Sequence, residues 1–217
     1  TLDLTWQEYA QDVVAKQVES LASSGAGNGA AVAIDPKNGE VRVLVGSKDW
    51  FDEEVGKMNM AIRPRQPGSS FKPLVYAAGI EERVITPATV LHDKRTTFPG
   101  DYKPENYDKK FRGNVLVRRA LANSLNVPAV EVMQKVGLSD ALSMAERLGF
   151  TTLGGESDYG LSLVLGTASV PLTELTNSYA AFANQGEQYP ITIITKIEDK
   201  HGEILYNYEP EPKRVLD

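Results

Sequence analysis

Residues 30–46 read AAVAIDPKNGEVRVLVG: two runs rich in alanine and β-branched residues, with Asn38-Gly39 in the polar stretch between them. Asn-Gly supplies the left-handed backbone that a tight reversal needs, and the flanks favour extended chain. The segment predicts an antiparallel hairpin of residues 30–34 with 40–46. Two strands alone are marginally stable in water. The rest of the chain must therefore cover at least one face of this hairpin.

Helical patterns surround it. Thr5 and Glu8 fit a capping box, with Thr5 as N-cap and Glu8 reaching back. Trp6, Ala10, Val13, Val14 and Leu21 follow at helical spacing, which predicts a helix over 6–22. SSGAGNG at 23–29 breaks it. From Ser69, SSFKPLVYAAGIEE reads as a helix with Phe71, Leu74, Val75 and Ala78 on one side and Pro73 in the first turns. Residues 83–113, rich in Pro, Asp, Lys and Tyr, read as loops. Three short amphipathic segments follow from Asn114, with Gly137 and Gly149 as C-caps. PLTELTNSYAAFANQG makes a fourth, with Leu172, Leu175, Tyr179 and Phe182 on one face and Gly186 as its stop. The tail predicts a second hairpin of 191–198 with 203–208.

Several chemistries are excluded by residue counts. There is no cysteine, so there is no disulfide, no thiolate nucleophile and no cysteine-based zinc site. His92 and His201 are the only histidines, too few for a His-rich metal site and a poor basis for a Ser-His-Asp triad. Nucleophilic chemistry here needs another base, and lysine is the candidate. A net charge of −6 argues against a general nucleic-acid binder. No run of about 18 apolar residues offers a transmembrane span. The opening TLDLTWQEYAQ reads as sequence from the middle of a longer chain.

RQPGSSFKP at 65–73 places Ser69 and Lys72 three apart at a helix start. On a helix, positions i and i+3 share a face, which lets Ser69 Oγ and Lys72 Nζ approach within hydrogen-bond reach. A lysine made neutral by burial could take the serine proton, and helix N-terminal N–H groups favour an oxyanion. The tetrapeptide alone is a weak signal, and by itself its usual meaning is an ordinary solvated helix face. A second short string, Ser124-Leu125-Asn126, lies between two helical segments. A hydroxyl there can relay a proton, and the amide can hold a carbonyl and an ammonium together. Its ordinary reading is a helix–helix turn with Asn126 as N-cap and Pro128 just inside.

Longer strings carry a resemblance. RQPGSSFKPLVYAAGIE, KPENYDKKFRGNVLVRRALANSLNVPAVEVMQKVG, TLDLTWQEYAQ and SLVLGTASVPLTELTNSYAAFANQG together resemble the transpeptidase domain of class A penicillin-binding proteins over nearly the whole chain. The resemblance implies an α/β penicillin-binding transpeptidase (β-lactamase-like) fold, an antiparallel sheet plus an all-α subdomain, here truncated at its C-terminal side. Residues 1–217 would form a partial domain: helix, hairpin and nucleophile helix to 82, a loop-rich segment to 113, the α subdomain to 186, then a hairpin and tail. It implies Ser69 as the acylated nucleophile, Lys72 as its base, Ser124 as proton shuttle and Asn126 as the group that binds the substrate amide and positions Lys72. The Ser69 N–H would be half of the oxyanion hole. The implied reaction is peptidoglycan cross-linking outside the cytoplasmic membrane. Ser69 attacks the penultimate D-Ala carbonyl of a D-Ala-D-Ala stem peptide, and an amine of a neighbouring stem resolves the acyl-enzyme. β-Lactams would trap the same serine. No metal or organic cofactor and no nucleic acid is implied, and membrane association would come only from upstream sequence.

The family's third motif, Lys-Thr-Gly or a variant, is not found. The nearest string, Lys200-His201-Gly202, reads as the turn of the second hairpin, and family order puts the motif after it. A C-terminal segment or second chain is therefore expected to complete the fold. A D,D-carboxypeptidase or β-lactamase-type hydrolase, or a catalytically incomplete binding or scaffold module, is the alternative reading; Glu174-Leu175-Thr176-Asn177 resembles a hydrolase loop but falls in the fourth helical segment. His92 reads as an unpaired loop residue. Asn106, Tyr107 and Asp108 read as ordering the loop near the cleft, Arg118 and Arg119 as surface residues, and Trp50 and Phe51 as candidates for the cleft rim.

Overall fold

The computed structural model describes all of residues 1–217. In chain order the elements are α1 (Leu4–Ser20), β1 (Ala31–Ile34), β2 (Val41–Val45), α2 (Lys72–Glu81), β3 (Val90–Asp93), β4 (Gly113–Leu116), α3 (Val117–Ala122), α4 (Asn126–Val136), α5 (Leu138–Arg147), α6 (Leu172–Ala183), β5 (Glu187–Gln188), β6 (Lys196–Glu198), β7 (Ile204–Asn207) and β8 (Lys213–Arg214). The strands form four antiparallel pairs: β1 with β2, β3 with β4, β5 with β8 and β6 with β7. No helix is long and apolar enough to cross a membrane. The chain divides into two compact units, one from Thr1–Arg65 with Val170–Asp217 and one from Gln66–Ser169.

The unit made from both chain ends is built on the first hairpin, which forms as its turn residues dictate. Gly39 adopts φ +73°, and the Asn38 side chain accepts from the Glu40 N–H at 3.0 Å. A β-carbon at Gly39 would lie 2.1 Å from the Pro190 carbonyl oxygen, so only glycine fits. On β2, Val41, Val43 and Val45 are buried and alternate with partly exposed residues, the period of a half-covered strand. Helix α1 begins two residues earlier than Thr5 and Glu8 suggested. Asp3 is its N-cap, accepting from the Trp6 N–H at 3.0 Å, and Thr5 lies inside the first turn. The Gln7 amide pairs with the Leu44 backbone, donating to its carbonyl at 3.1 Å and accepting from its N–H at 2.8 Å. A side chain thereby occupies the open edge of β2. Arg65 and Val170 exchange both backbone hydrogen bonds, at 3.0 and 2.9 Å. This clamp ties together the two chain segments of the unit.

Helix α6 packs on β1 and β5. Its buried residues are Asn177, Ser178, Ala180 and Ala181, while Tyr179 and Phe182, an edge-on ring pair, stay partly exposed at 38% and 40%. Small residues permit close approach to the strands, and the aromatic stripe faces away. The second hairpin forms where the sequence predicts it but is shorter: only Lys196–Glu198 pairs with Ile204–Asn207, and residues 191–195 stay outside its strands. Lys200–Gly202 lies in its turn, with the Asp199 carboxylate accepting from the His201 and Glu203 N–H groups and Gly202 at φ +85°.

The other unit is mainly helical. Its core gathers Phe71, Leu74 and Val75 at and beyond the start of α2, Val127, Val130 and Met133 of α4, Met144 of α5, Leu148, Phe150 and Leu163. Gly137 and Gly149 end α4 and α5 with φ of +87° and +91°. The segment read as loops contains strand β3 and, at Gly113, the first residue of β4; the remaining residues of that strand, 114–116, lie in what reads as the start of a helical stretch. β3 buries only Leu91 and Asp93, too short an alternation to stand out against its polar surroundings.

Candidate active site

The site residues lie within the helical unit. Pro67-Gly68 turns the chain into a 3₁₀ turn, Gly68–Phe71, that leads into α2. Gly68 takes φ +59°. Ser69 sits on this turn and is exposed. The neighbouring Ser70 hydroxyl is engaged, donating to the Pro67 carbonyl at 2.6 Å. Phe71 anchors the turn, buried beside the Phe150 ring at 5.9 Å between centroids. A further 3₁₀ turn, Leu161–Leu165, packs against it. Gly166 ends this second turn at φ +74°, and a β-carbon there would lie 2.2 Å from the Gly68 oxygen and 2.4 Å from its nitrogen. The backbone carrying Ser69 therefore rests directly on the backbone of Gly166.

Lys72 is the first residue of α2 and is 1% exposed. Its ammonium group donates to the Ser124 carbonyl at 2.6 Å, the Asn126 Oδ1 at 2.7 Å and the Ser124 Oγ at 3.1 Å. Those three acceptors match the three donors of a lysine ammonium. Burial pulls its pKa down to about 8, because no carboxylate partner offsets the lost hydration. Thus the structure joins Lys72, Ser124 and Asn126 directly. Ser69 stands at the head of the same turn, its carbonyl accepting from the Lys72 N–H, but its hydroxyl is not among the partners of the lysine amine.

Two devices hold Ser124 and Asn126. Helix α3 ends in a Schellman turn, with the Ser124 N–H bonded to the Leu121 carbonyl and the Leu125 N–H to the Ala120 carbonyl. That motif places Ser124 at φ +51°, a left-handed position usually given to glycine. Leu125 buries its side chain and anchors the turn. Asn126 then opens α4, whose N-terminus receives no cap from Leu125. Asn106 supplies one from a distant loop: its Oδ1 accepts from the Asn126 N–H at 2.8 Å, and its Nδ2 donates to Asp93 at 2.7 Å and to the Lys110 carbonyl at 2.8 Å. Asp93, fully buried at the end of β3, also accepts from the Arg112 N–H at 2.9 Å. Asn126 Nδ2 donates to the Glu105 carbonyl at 2.8 Å, which leaves its Oδ1 turned to Lys72.

Asn106 thus orders the loop beside the site, as its sequence context suggested. Tyr107 is fully exposed, and Asp108 pairs with Arg112 at 2.8 Å. Asp93 and the Glu105 carbonyl were missed in sequence. A lone aspartate in VLHDKR carries no spacing signal, and a backbone carbonyl carries none at all. His92 is a strand residue rather than an unpaired loop residue: its N–H donates to Glu131 at 2.8 Å and its Nδ1 lies 3.3 Å from the same carboxylate. Arg118 and Arg119 are exposed on α3, and Trp50 and Phe51 are exposed in the unit built from the chain ends. No cluster of side chains suited to a metal ion is present.

This mixed helix-and-sheet architecture is the fold of the penicillin-binding transpeptidases. It superposes on the crystal structure of penicillin-binding protein 1A from Haemophilus influenzae with a TM-score of 0.75 and 30% identity, covering 85% of this chain and 28% of that one. Penicillin-binding protein 3 from Mycobacterium tuberculosis, complexed with ampicillin, matches with a TM-score of 0.81 and 25% identity over 100% of this chain and 53% of that one. The penicillin binding protein transpeptidase domain model matches residues 29–216, and the chain belongs to that family. A curated relative, penicillin-binding protein 1A of Aquifex aeolicus, is 35% identical over 192 residues; the match takes in 87% of this chain and 26% of the relative. The chain spans about a quarter of the length of that relative.

Proposed function

We propose that this chain carries the acylation site of a peptidoglycan D,D-transpeptidase, with Ser69 as the nucleophile. The observation that carries the reading is Lys72: a buried lysine three residues after an exposed serine, its pKa lowered to about 8, held by a serine and an asparagine from another turn. Ser69 is the free hydroxyl of the pair, since Ser70 is tied to Pro67.

In the proposed reaction the Ser69 Oγ–C bond to the penultimate D-Ala carbonyl carbon forms as the hydroxyl proton passes to neutral Lys72. The Ser124 carbonyl and Asn126 Oδ1 can only accept, so the two hydrogens of the neutral Lys72 amine stay directed at them. The Ser124 hydroxyl is the one partner that can reverse its hydrogen bond as Lys72 changes protonation, which suits it to hand the proton on to the departing D-Ala amine. The C–N bond breaks, D-Ala leaves, and an amine of a second stem peptide attacks the ester and regenerates Ser69. The Ser69 N–H, on the turn before α2, would stabilise the tetrahedral oxyanion. β-Lactams would acylate the same oxygen, consistent with the ampicillin complex of the Mycobacterium tuberculosis relative. We place the reaction outside the cytoplasmic membrane, where peptidoglycan is cross-linked. A C-terminal segment or second chain that covers the exposed apolar residues of β6 and β7 and supplies the substrate-carboxylate site belongs to the same proposal.

The test is intact-mass spectrometry after incubation with a penicillin, on this chain and on Ser69→Ala. A penicilloyl adduct on the parent and none on Ser69→Ala is expected. An adduct of equal yield on both would remove Ser69 from the role. Rapid release of the adduct would favour a hydrolase instead.

A further inference from the structure

The segment whose Glu105 carbonyl receives the Asn126 amide also lines a pocket that the acylation chemistry leaves unused. It has a volume of about 300 Å³, and Arg95, Lys103, Pro104, Glu105 and Phe111 are among the residues that line it. Its link to the reactive groups is short: Lys72 bonds Asn126, Asn126 Nδ2 bonds the Glu105 carbonyl, and Glu105 is part of the pocket wall. A peptide whose reacting carbonyl lies against Asn126 therefore has this pocket within the reach of an adjacent residue or two, at about 3.3–3.6 Å per extended residue.

The charges in the pocket are unequal in their engagement. Lys103 is paired with Asp101 at 2.8 Å. Arg95 makes no ion pair; its guanidinium stands over the Phe111 ring, 6.0 Å from the centroid. A guanidinium within cation–π range of an aromatic face and without a carboxylate partner keeps its fork of N–H donors for a planar anion. Resting on the proposed peptide substrate, we infer that this pocket binds a side-chain carboxylate of the peptide that ends in D-Ala-D-Ala, with Arg95 as the specificity residue and Phe111 as its platform. Glu105 is the one carboxylate in the wall and opposes the same ligand, so its neutralisation should tighten binding.

The experiment separates this inference from the acylation reading. Equilibrium binding is measured on the full chain carrying Ser69→Ala, where no turnover interferes. The probes are two synthetic peptides ending in D-Ala-D-Ala, one with Glu and one with Gln two residues before that dipeptide, and a second such pair with the residue three before it. The expected result is about three- to tenfold tighter binding of a Glu peptide than of its Gln partner, the size of an ion pair open to solvent on one side. The preference should vanish in Arg95→Ala, survive in part in Arg95→Lys and grow in Glu105→Gln. Equal affinities within both pairs, a preference that persists in Arg95→Ala, or no measurable binding of any peptide would overturn the inference. Penicillin labelling of the Ser69 chain with and without Arg95→Ala reports on the acylation reading separately. Labelling unchanged by Arg95→Ala alongside equal peptide affinities refutes the pocket alone, and absent labelling of both refutes the nucleophile.

Discussion

Ser124 occupies a backbone position that serine seldom takes. At φ +51° the left-handed turn costs about 1 kcal/mol for a residue with a β-carbon, and glycine would carry no such cost. A hydroxyl kept there at a cost fits a chemical role, because it faces Lys72 at 3.1 Å. Two variants divide the effects. Ser124→Gly and Ser124→Ala should both slow penicillin acylation by more than about tenfold, the scale of losing a proton relay. Ser124→Gly should be the more stable of the two by about 1 kcal/mol in urea unfolding. An alanine variant as stable as the glycine one would show the turn to be unstrained. Lys72 sets a pH dependence. Its native pKa of about 8 lies below the ordinary value of 10.5, so between those values the unfolded chain holds more protons than the native one. Stability should therefore rise with pH across that window and be flat below it. Acylation, which needs the neutral amine, should climb with pH and level off above about 8, read as adduct formation per unit time. A rate independent of pH from 6 to 9 would remove Lys72 as the base.

At the scale of elements, the turn that carries Ser69 depends on a contact between two backbones rather than between side chains. Gly166 can serve because it lacks a β-carbon and tolerates φ +74°; an alanine would collide with Gly68 at 2.2 Å. Backbone cannot swing aside as a long side chain can, so Gly166→Ala should cost about 2 kcal/mol or more. It should also depress acylation at temperatures where the protein remains folded, since Ser69 follows Gly68. A variant of parental stability and acylation rate, by thermal melt and mass spectrometry, would show the contact to be slack. The elements also show where sequence reading holds. The Asn38-Gly39 hairpin, the helix after Ser69 and the glycine-stopped helices follow from local rules that act within one turn of chain. The N-cap of α1 moved to Asp3 because Thr5 falls within the first turn. The buried face of α6 is its small-residue face, because the strands beneath it admit Ala180 and Ala181 but not Tyr179.

Across the whole molecule, all four proposed site residues belong to the unit of residues 66–169, while the unit from the chain ends carries the least covered strands. Every residue of β6 and β7 is exposed, including Ile197, Ile204, Leu205 and Tyr206, and Leu4, Trp6 and Tyr9 of α1 are exposed in the same unit. Exposed strands with few buried contacts open at low free energy. Amides of β6 and β7 should exchange hydrogen at least about 100-fold faster than those of α4, whose inward side chains are fully buried. Comparable protection in the isolated chain would mean that the second hairpin is covered without help. Protection that appears only when further sequence or a second chain is added would identify what covers it.

Local chemistry along the chain is enough to predict both hairpins, most helices, the glycine stops and the two strings, Ser69-x-x-Lys72 and Ser124-x-Asn126, that mark the candidate site. These are effects of neighbours in sequence, or of strings long enough to show a family. Three things came only from the fold. The β3–β4 pair brings Asp93 to Asn106, and Asn106 caps α4 across 20 residues of chain. Burial, which no composition states, brings Lys72 to about 8. The pocket of Arg95 and Phe111 depends on residues separated in sequence coming together. Desolvation and hydrogen bonding between distant segments are set by which surfaces meet, and a linear order of residues does not contain that until the chain has folded.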